Sequence, residues 1–244
     1  MATIFSITRP IGHVPIVIRY MLIITVISQC IWHYSFSELH VKKEEVMPEP
    51  GRPAIYQLAS LNDSITIAKL LMLWVQAFDN QPGVSLSLKE LNYERVIVWL
   101  ALIMSLDENI QYPLFAASRF YTEVPDIDKK KLMIGFVKNK FLQNPDQRWA
   151  SMAHAVYVAK HRIKDLQLAV EYARLLRLHA TGENVPYWAK QMEFFVLEDM
   201  GELEAAMILI GGLLESGELD DKHQQEFLRS RLEDIKQRYK QNIN

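Results

Sequence analysis

The sequence predicts an all-α protein: a stack of antiparallel helix hairpins preceded by a single hydrophobic N-terminal helix. Three observations carry this. Apolar residues after position 61 recur at helical spacing, with no sustained period-2 alternation. Landmark residues return at intervals near 37. Ahead of them lies one long apolar segment, separated from the rest by a stretch rich in proline and charge.

The apolar segment covers residues 14–36, VPIVIRYMLIITVISQCIWHYSF. At about 1.5 Å rise per residue it is long enough to cross a bilayer as a helix. Arg19 interrupts it, where a long side chain can reach the headgroups, and Tyr20, Trp32 and Tyr34 suit the two interfaces. Three readings stay open: an uncleaved signal anchor, a cleaved signal peptide, and a helix buried in the soluble domain. No small-residue cleavage site follows the segment, so residues 1–41 are assigned to a tail and a membrane anchor. Arg9 and Arg19 precede it without acids nearby, whereas Lys42 and Lys43 stand beside Glu44 and Glu45. The expected topology puts the N-terminus inside and the domain outside, which in a bacterium means an inner-membrane protein with a periplasmic domain. Residues 42–61, opening with KKEEVMPEPGRP, read as an extended linker.

From residue 62 to 244 the chain reads as one helical domain. Asn62-Asp63-Ser64 offers an N-cap for a helix over 65–78. The NQPG turn at 80–83 separates it from a helix over 91–106. Further helices are expected over 112–123, 128–142, 147–162, 165–180, 186–200 and 202–216, with breaks at residues such as Asn144-Pro145, Thr181-Gly182, Gly201 and Gly217. Leu203, Ala206, Met207, Ile210 and Leu214 share one face, as do Leu168, Ala169, Tyr172, Ala173 and Leu176. The last helix, 221–241, is rich in charge (Arg229, Arg231, Glu233, Asp234, Lys236, Arg238) and reads as a solvated cap. Gly211-Gly212 falls inside a helical pattern, where close helix packing is the expected reason.

The repeat landmarks are Tyr112, Trp149 and Trp188, spaced 37 and 39 apart. Four residues after each come Ala116, Ala153 and Met192, and the second helices begin near 91, 126, 165 and 202. Gly201 and Ala205 fall in an inter-helix turn with the sequence Met200-Gly201-Glu202-Leu203-Glu204-Ala205-Ala206. Here the chain resembles the tetratricopeptide repeat (TPR) family, over roughly residues 65–216, with Asn92-Tyr93-Glu94-Arg95-Val96 and Leu106-Asp107-Glu108 similar to the two ends of a second repeat helix. It departs in a period above that family's usual length, in Met192 at a small-residue position, and in Glu108 where a proline is common. The resemblance implies a right-handed superhelix with a concave groove. Tyr112, Ala116, Trp149, Ala153, Trp188, Gly201 and Ala205 would then hold the repeats together. The groove positions it implies are Pro113, Ala117, Phe120 and Tyr121; Ala150, His154, Tyr157 and Val158; and Ala189, Glu193, Val196 and Leu197. Of these, Ala117, Phe120, Tyr121, His154, Tyr157 and Glu193 are the candidate partner-binding set.

Composition argues against other classes. A net charge of −2 does not suit a nucleic-acid binder. Lys129, Lys130 and Lys131 read as the solvated first turn of a helix rather than a phosphate site. Cys30 is the only cysteine, so neither an intramolecular disulfide nor a cysteine-based metal site is expected. His154 and His161 lie two turns apart on one face, without a carboxylate at ligand spacing. No nucleophile elbow, zincin helix, P-loop or dinucleotide fingerprint is present. The expectation is a non-enzymatic, membrane-anchored adaptor without cofactor or metal, which binds a protein or peptide in the assembly or localisation of an envelope complex. The alternative is an accessory subunit of a membrane enzyme complex, or an all-helical enzyme without a recognisable motif.

Overall fold

The computed structural model describes residues 15–37, 47–60, 63–79, 88, 90–215 and 221–243, and every regular element among them is helical. The chain divides into two units, of which one contributes a single described helix, α1 (Ile16–Ser37). Its apolar side chains, from Ile16 to Tyr34, are exposed. It is long and apolar enough to cross a membrane, a property that a signal sequence shares. Within it, the Thr25 hydroxyl donates to the Met21 carbonyl at 2.8 Å, which satisfies a polar group inside an apolar helix.

The second unit holds α2 (Pro53–Ala59), α3 (Ser64–Gln76), α4 (Tyr93–Leu106), α5 (Tyr112–Arg119), α6 (Ile127–Phe141), α7 (Pro145–Tyr157), α8 (Leu166–His179), α9 (Tyr187–Asp199), α10 (Leu203–Glu215) and α11 (Lys222–Ile243). A short 3-10 turn, Ala77–Asp79, extends α3, and a π-helical turn, Val158–Ile163, extends α7. The starts follow side-chain chemistry. Asp63, Asn92 and Asp165 each accept from the backbone N–H three residues on, and Asp126 accepts from those of Asp128 and Lys129. Proline stands in the first turn of α2, α5 and α7, where its missing N–H costs nothing. Gly201 turns the chain between α9 and α10 at φ +79°, a conformation that favours glycine.

Packing runs along the chain. α3 meets α4, α5 meets α6, α7 meets α8 and α9 meets α10. The second member of each pair also meets the first of the next, and α5 meets α7 as α7 meets α9. The core they share is aliphatic and aromatic, with Leu100, Ile103, Leu114, Met133, Phe141, Met152, Leu176 and Phe194 fully buried.

Four expectations are corrected. Residues 47–60 are not a free linker: α2 forms there and packs on α3 and α4, Met47 is buried, and Trp99 Nε1 donates to the Pro48 carbonyl at 2.9 Å. The C-terminal helix is more than a solvated cap, because Leu228 and Ile235 are fully buried and two of its arginines reach α9. Gly211 and Gly212 do not mark a close helix approach, since a Cβ at either would meet nothing within 4 Å. The lysine run does open α6, but Lys129 Nζ donates to the Leu91 carbonyl at 2.9 Å and Lys131 pairs with Asp165 at 3.0 Å, so two of its members tie helices together. The expected turn at 80–83 and the break at Gly217 lie outside the described residues.

Candidate protein-binding face

Helices α5, α7, α9 and α11 carry aromatic side chains that the core does not fully consume. On α5, Tyr112 and Phe115 are stacked with centroids 6.2 Å apart, and Phe115 meets Phe120 edge-on at 5.8 Å. All three are substantially exposed, and the Arg119 guanidinium lies 5.1 Å from the Phe115 ring centre. On α7 and its π turn, His154 stacks on Tyr157 at 5.5 Å, and Tyr157 meets His161 at 4.8 Å. A ladder of three rings results, with Tyr157 and His161 exposed and His154 half-buried. The π turn ends at Lys164, whose φ of 63° lets the chain reverse into α8.

Beyond this ladder lies a cavity of about 260 Å³, lined by Tyr157, Lys160, His161, Met192, Phe195, Asp199 and Arg231 among others. Phe195 of α9 continues to Phe227 of α11 at 6.4 Å. Ion pairs fix the frame. Lys160 pairs with Asp199, joining the π turn to the end of α9. Arg162 pairs with Glu123 at 3.2 Å, joining it to the turn after α5. Burial, with the positive charge of Arg119 next in weight, holds the His154 imidazole below its ordinary pKa. It therefore favours the neutral form, which suits stacking on Tyr157. Among the described residues no three histidine, cysteine or acidic side chains converge as a metal set.

The candidate set divides against this geometry. Phe120, His154 and Tyr157 stand on the face. Ala117 is fully buried, and Tyr121 is buried with its ring edge-on to Tyr93 at 6.1 Å, so neither can meet a partner. Glu193 is 3% exposed, its two oxygens accepting from Arg174 Nε at 2.8 Å and Arg177 Nε at 2.7 Å. It clamps α8 to α9 rather than opening to a groove. The other positions implied by the resemblance are mostly core as well: Pro113, Val158, Ala189, Val196 and Leu197 are buried, and Ala150 is exposed. Sequence reasoning omitted Phe115, His161, Phe195 and Phe227 from the set. The first two follow members of the same faces at i+3 and i+7 (Tyr112 to Phe115, His154 to His161), a spacing that could have found them. Phe195 and Phe227 meet only through packing.

The repeat landmarks also differ in role. Ala116 is fully buried and Ala153 nearly so. Tyr112 and Trp188 are not core fillers, and Trp149 is only partly buried against the core. Gln76 Nε2 donates to the Tyr112 hydroxyl at 2.8 Å, linking α3 to α5. Trp149 meets Trp188 edge-on at 5.4 Å, linking α7 to α9, and Trp188 is 52% exposed. Ala205 is half-buried.

Comparison with family models, with curated proteins and with solved structures returns no match.

Proposed function

We propose that this chain is a non-catalytic adaptor, held at a membrane by α1, whose TPR-like helical domain binds a protein partner along the face of α5, α7, α9 and α11. The domain is read as a right-handed superhelix of antiparallel hairpins, with the odd-numbered helices lining its concave side. The expected place is the bacterial inner membrane with the domain in the periplasm, where it helps assemble or localise an envelope complex.

The observation that supports this most is the exposed aromatic line of Phe120, Tyr157 and His161, flanked by the paired charges of Arg162, Glu123, Lys160 and Asp199. Aromatic centres with a charged rim are what a peptide or helix partner buries on binding. Rings already stacked on one another lose little side-chain freedom when covered.

The test is site-specific photocrosslinking in intact cells. A photoreactive residue at Phe120 or Tyr157 should give one discrete adduct. The same residue at the exposed Leu178 of α8 should not. The double variant Phe120→Asp, Tyr157→Asp should lose the partner while its helical circular dichroism persists. An adduct pattern identical at all three positions would defeat the reading. Protease accessibility in intact cells against spheroplasts decides the topology independently.

A further inference from the structure

The two helices that open the helical domain are apolar where they should be polar. α3 buries Ala68, Met72 and Val75 against α4, one stripe at helical spacing. Its opposite face carries Leu70 and Leu73, each more than half exposed. A helix apolar on both faces belongs in a core or at a lipid boundary. α2 buries none of its residues, and Ile55 and Leu58 are exposed, Leu58 to 80%.

Two further observations bear on what covers this surface. One is charge. Between Arg52 and Gln76 the only acid is Asp63, which is occupied as the N-cap of α3, while Arg52 and Lys69 are basic. Such a surface complements an anionic lipid headgroup layer. The other is chain length. Only residues 38–46 lie between Ser37, where α1 ends, and Met47, which is buried in the helical domain. Fully drawn out, that stretch reaches about 35 Å, so a bilayer entered by α1 is present at high effective concentration.

We propose that α2 and α3 form an amphipathic seat that lies in the headgroup layer of the bilayer crossed by α1, inserting Leu58, Leu70 and Leu73. The seat makes the first helical pair a second, reversible membrane contact. It rests on the anchor in the proposed function.

The test uses the full chain with Cys30→Ser, reconstituted in phosphatidylcholine–phosphatidylglycerol vesicles that contain nitroxide-labelled lipid. A single cysteine carrying a fluorophore replaces Leu70, Leu73, Ile24 or, as an aqueous control, Leu178. Positions 70 and 73 are exposed, so a label there does not enter the core, and circular dichroism checks the fold. Lipid quenching at 70 and 73 several-fold above that at 178 is the expected result, and it should weaken when phosphatidylglycerol is left out. Quenching at 24 but not at 70 or 73 overturns the seat and leaves the anchor standing. Quenching at 70 and 73 but not at 24 overturns the anchor, and with it the seat as a second contact beside α1. Labels at 70 and 73 that are shielded from aqueous iodide only at high protein-to-lipid ratio, without lipid quenching, indicate a second copy of the chain and overturn the proposal.

Discussion

Arg231 of α11 grips Glu198 of α9 with two parallel hydrogen bonds, Nη2 to Oε1 at 2.7 Å and Nε to Oε2 at 3.1 Å. Arg238, two turns further on, reaches the same carboxylate. Glu198 is 7% exposed, so its charge is tolerated only because the two guanidinium groups replace water.

Replacing Glu198 with Ala should therefore cost about 2–3 kcal/mol. The cost stays below that of a fully buried pair because both arginines retain access to solvent. Denaturant unfolding gives the magnitude. Amide hydrogen exchange should show faster opening in α11 than elsewhere. Uniform loss of protection would show that the carboxylate stabilises the domain without pinning its last helix.

The tryptophan pair should respond unequally to truncation. Trp188 keeps half its surface in water, whereas Trp149 is half-buried against the core. Trp149→Ala is expected to cost about 2–3 kcal/mol and Trp188→Ala about 1–1.5 kcal/mol, mostly the lost edge-to-face contact and partial burial. A double-mutant cycle by urea unfolding measures the coupling between them, expected near 1 kcal/mol.

Three glycines separate backbone need from helix propensity. Gly201→Ala should destabilise by about 1 kcal/mol, because alanine must adopt φ +79°. Gly211→Ala and Gly212→Ala should each stabilise by about 0.5–1 kcal/mol, because both sit inside α10 with open space at the Cβ position. Thermal melts of the three single variants suffice to check both signs.

His154 predicts a pH dependence. Its folded pKa lies below its unfolded value because of burial and Arg119. In the window between the two, the unfolded chain binds more protons, so stability rises with pH. Stability should thus fall as pH drops below about 6.5, the unperturbed imidazole value. His154→Gln should flatten that part of the profile. Equal slopes between pH 7 and 5 in the parent and the variant would contradict it.

Much of the fold is legible in the amino-acid sequence. Asn92, Asp126 and Asp165 mark helix starts through short-range chemistry that needs no tertiary information, and apolar spacing supplies the rest. α2 was not legible, because its seven residues are too few for periodicity and Pro48, Pro50 and Pro53 read as linker. Pro53 is in fact its first residue. The site was legible in part. Phe120, His154 and Tyr157 fall on the aromatic face, but Tyr121 lies just past the end of α5, where the chain turns inward. The resemblance implies a groove position for Glu193. Its burial depends on Arg174 and Arg177, which reach it from α8, a relationship that spacing along one helix does not encode.

The π turn at Val158–Ile163 sets where the last ring of this surface stands. A π turn accommodates one residue more than an α-helical turn without displacing the helix on either side of it. Deleting a single residue there, Lys160 for instance, should leave α7 and α8 packed while it shortens the spacing from Tyr157 to His161 from four residues to three and so disturbs the ring ladder. The third ring of the ladder is thus set by the length of one turn rather than by the helices on either side of it.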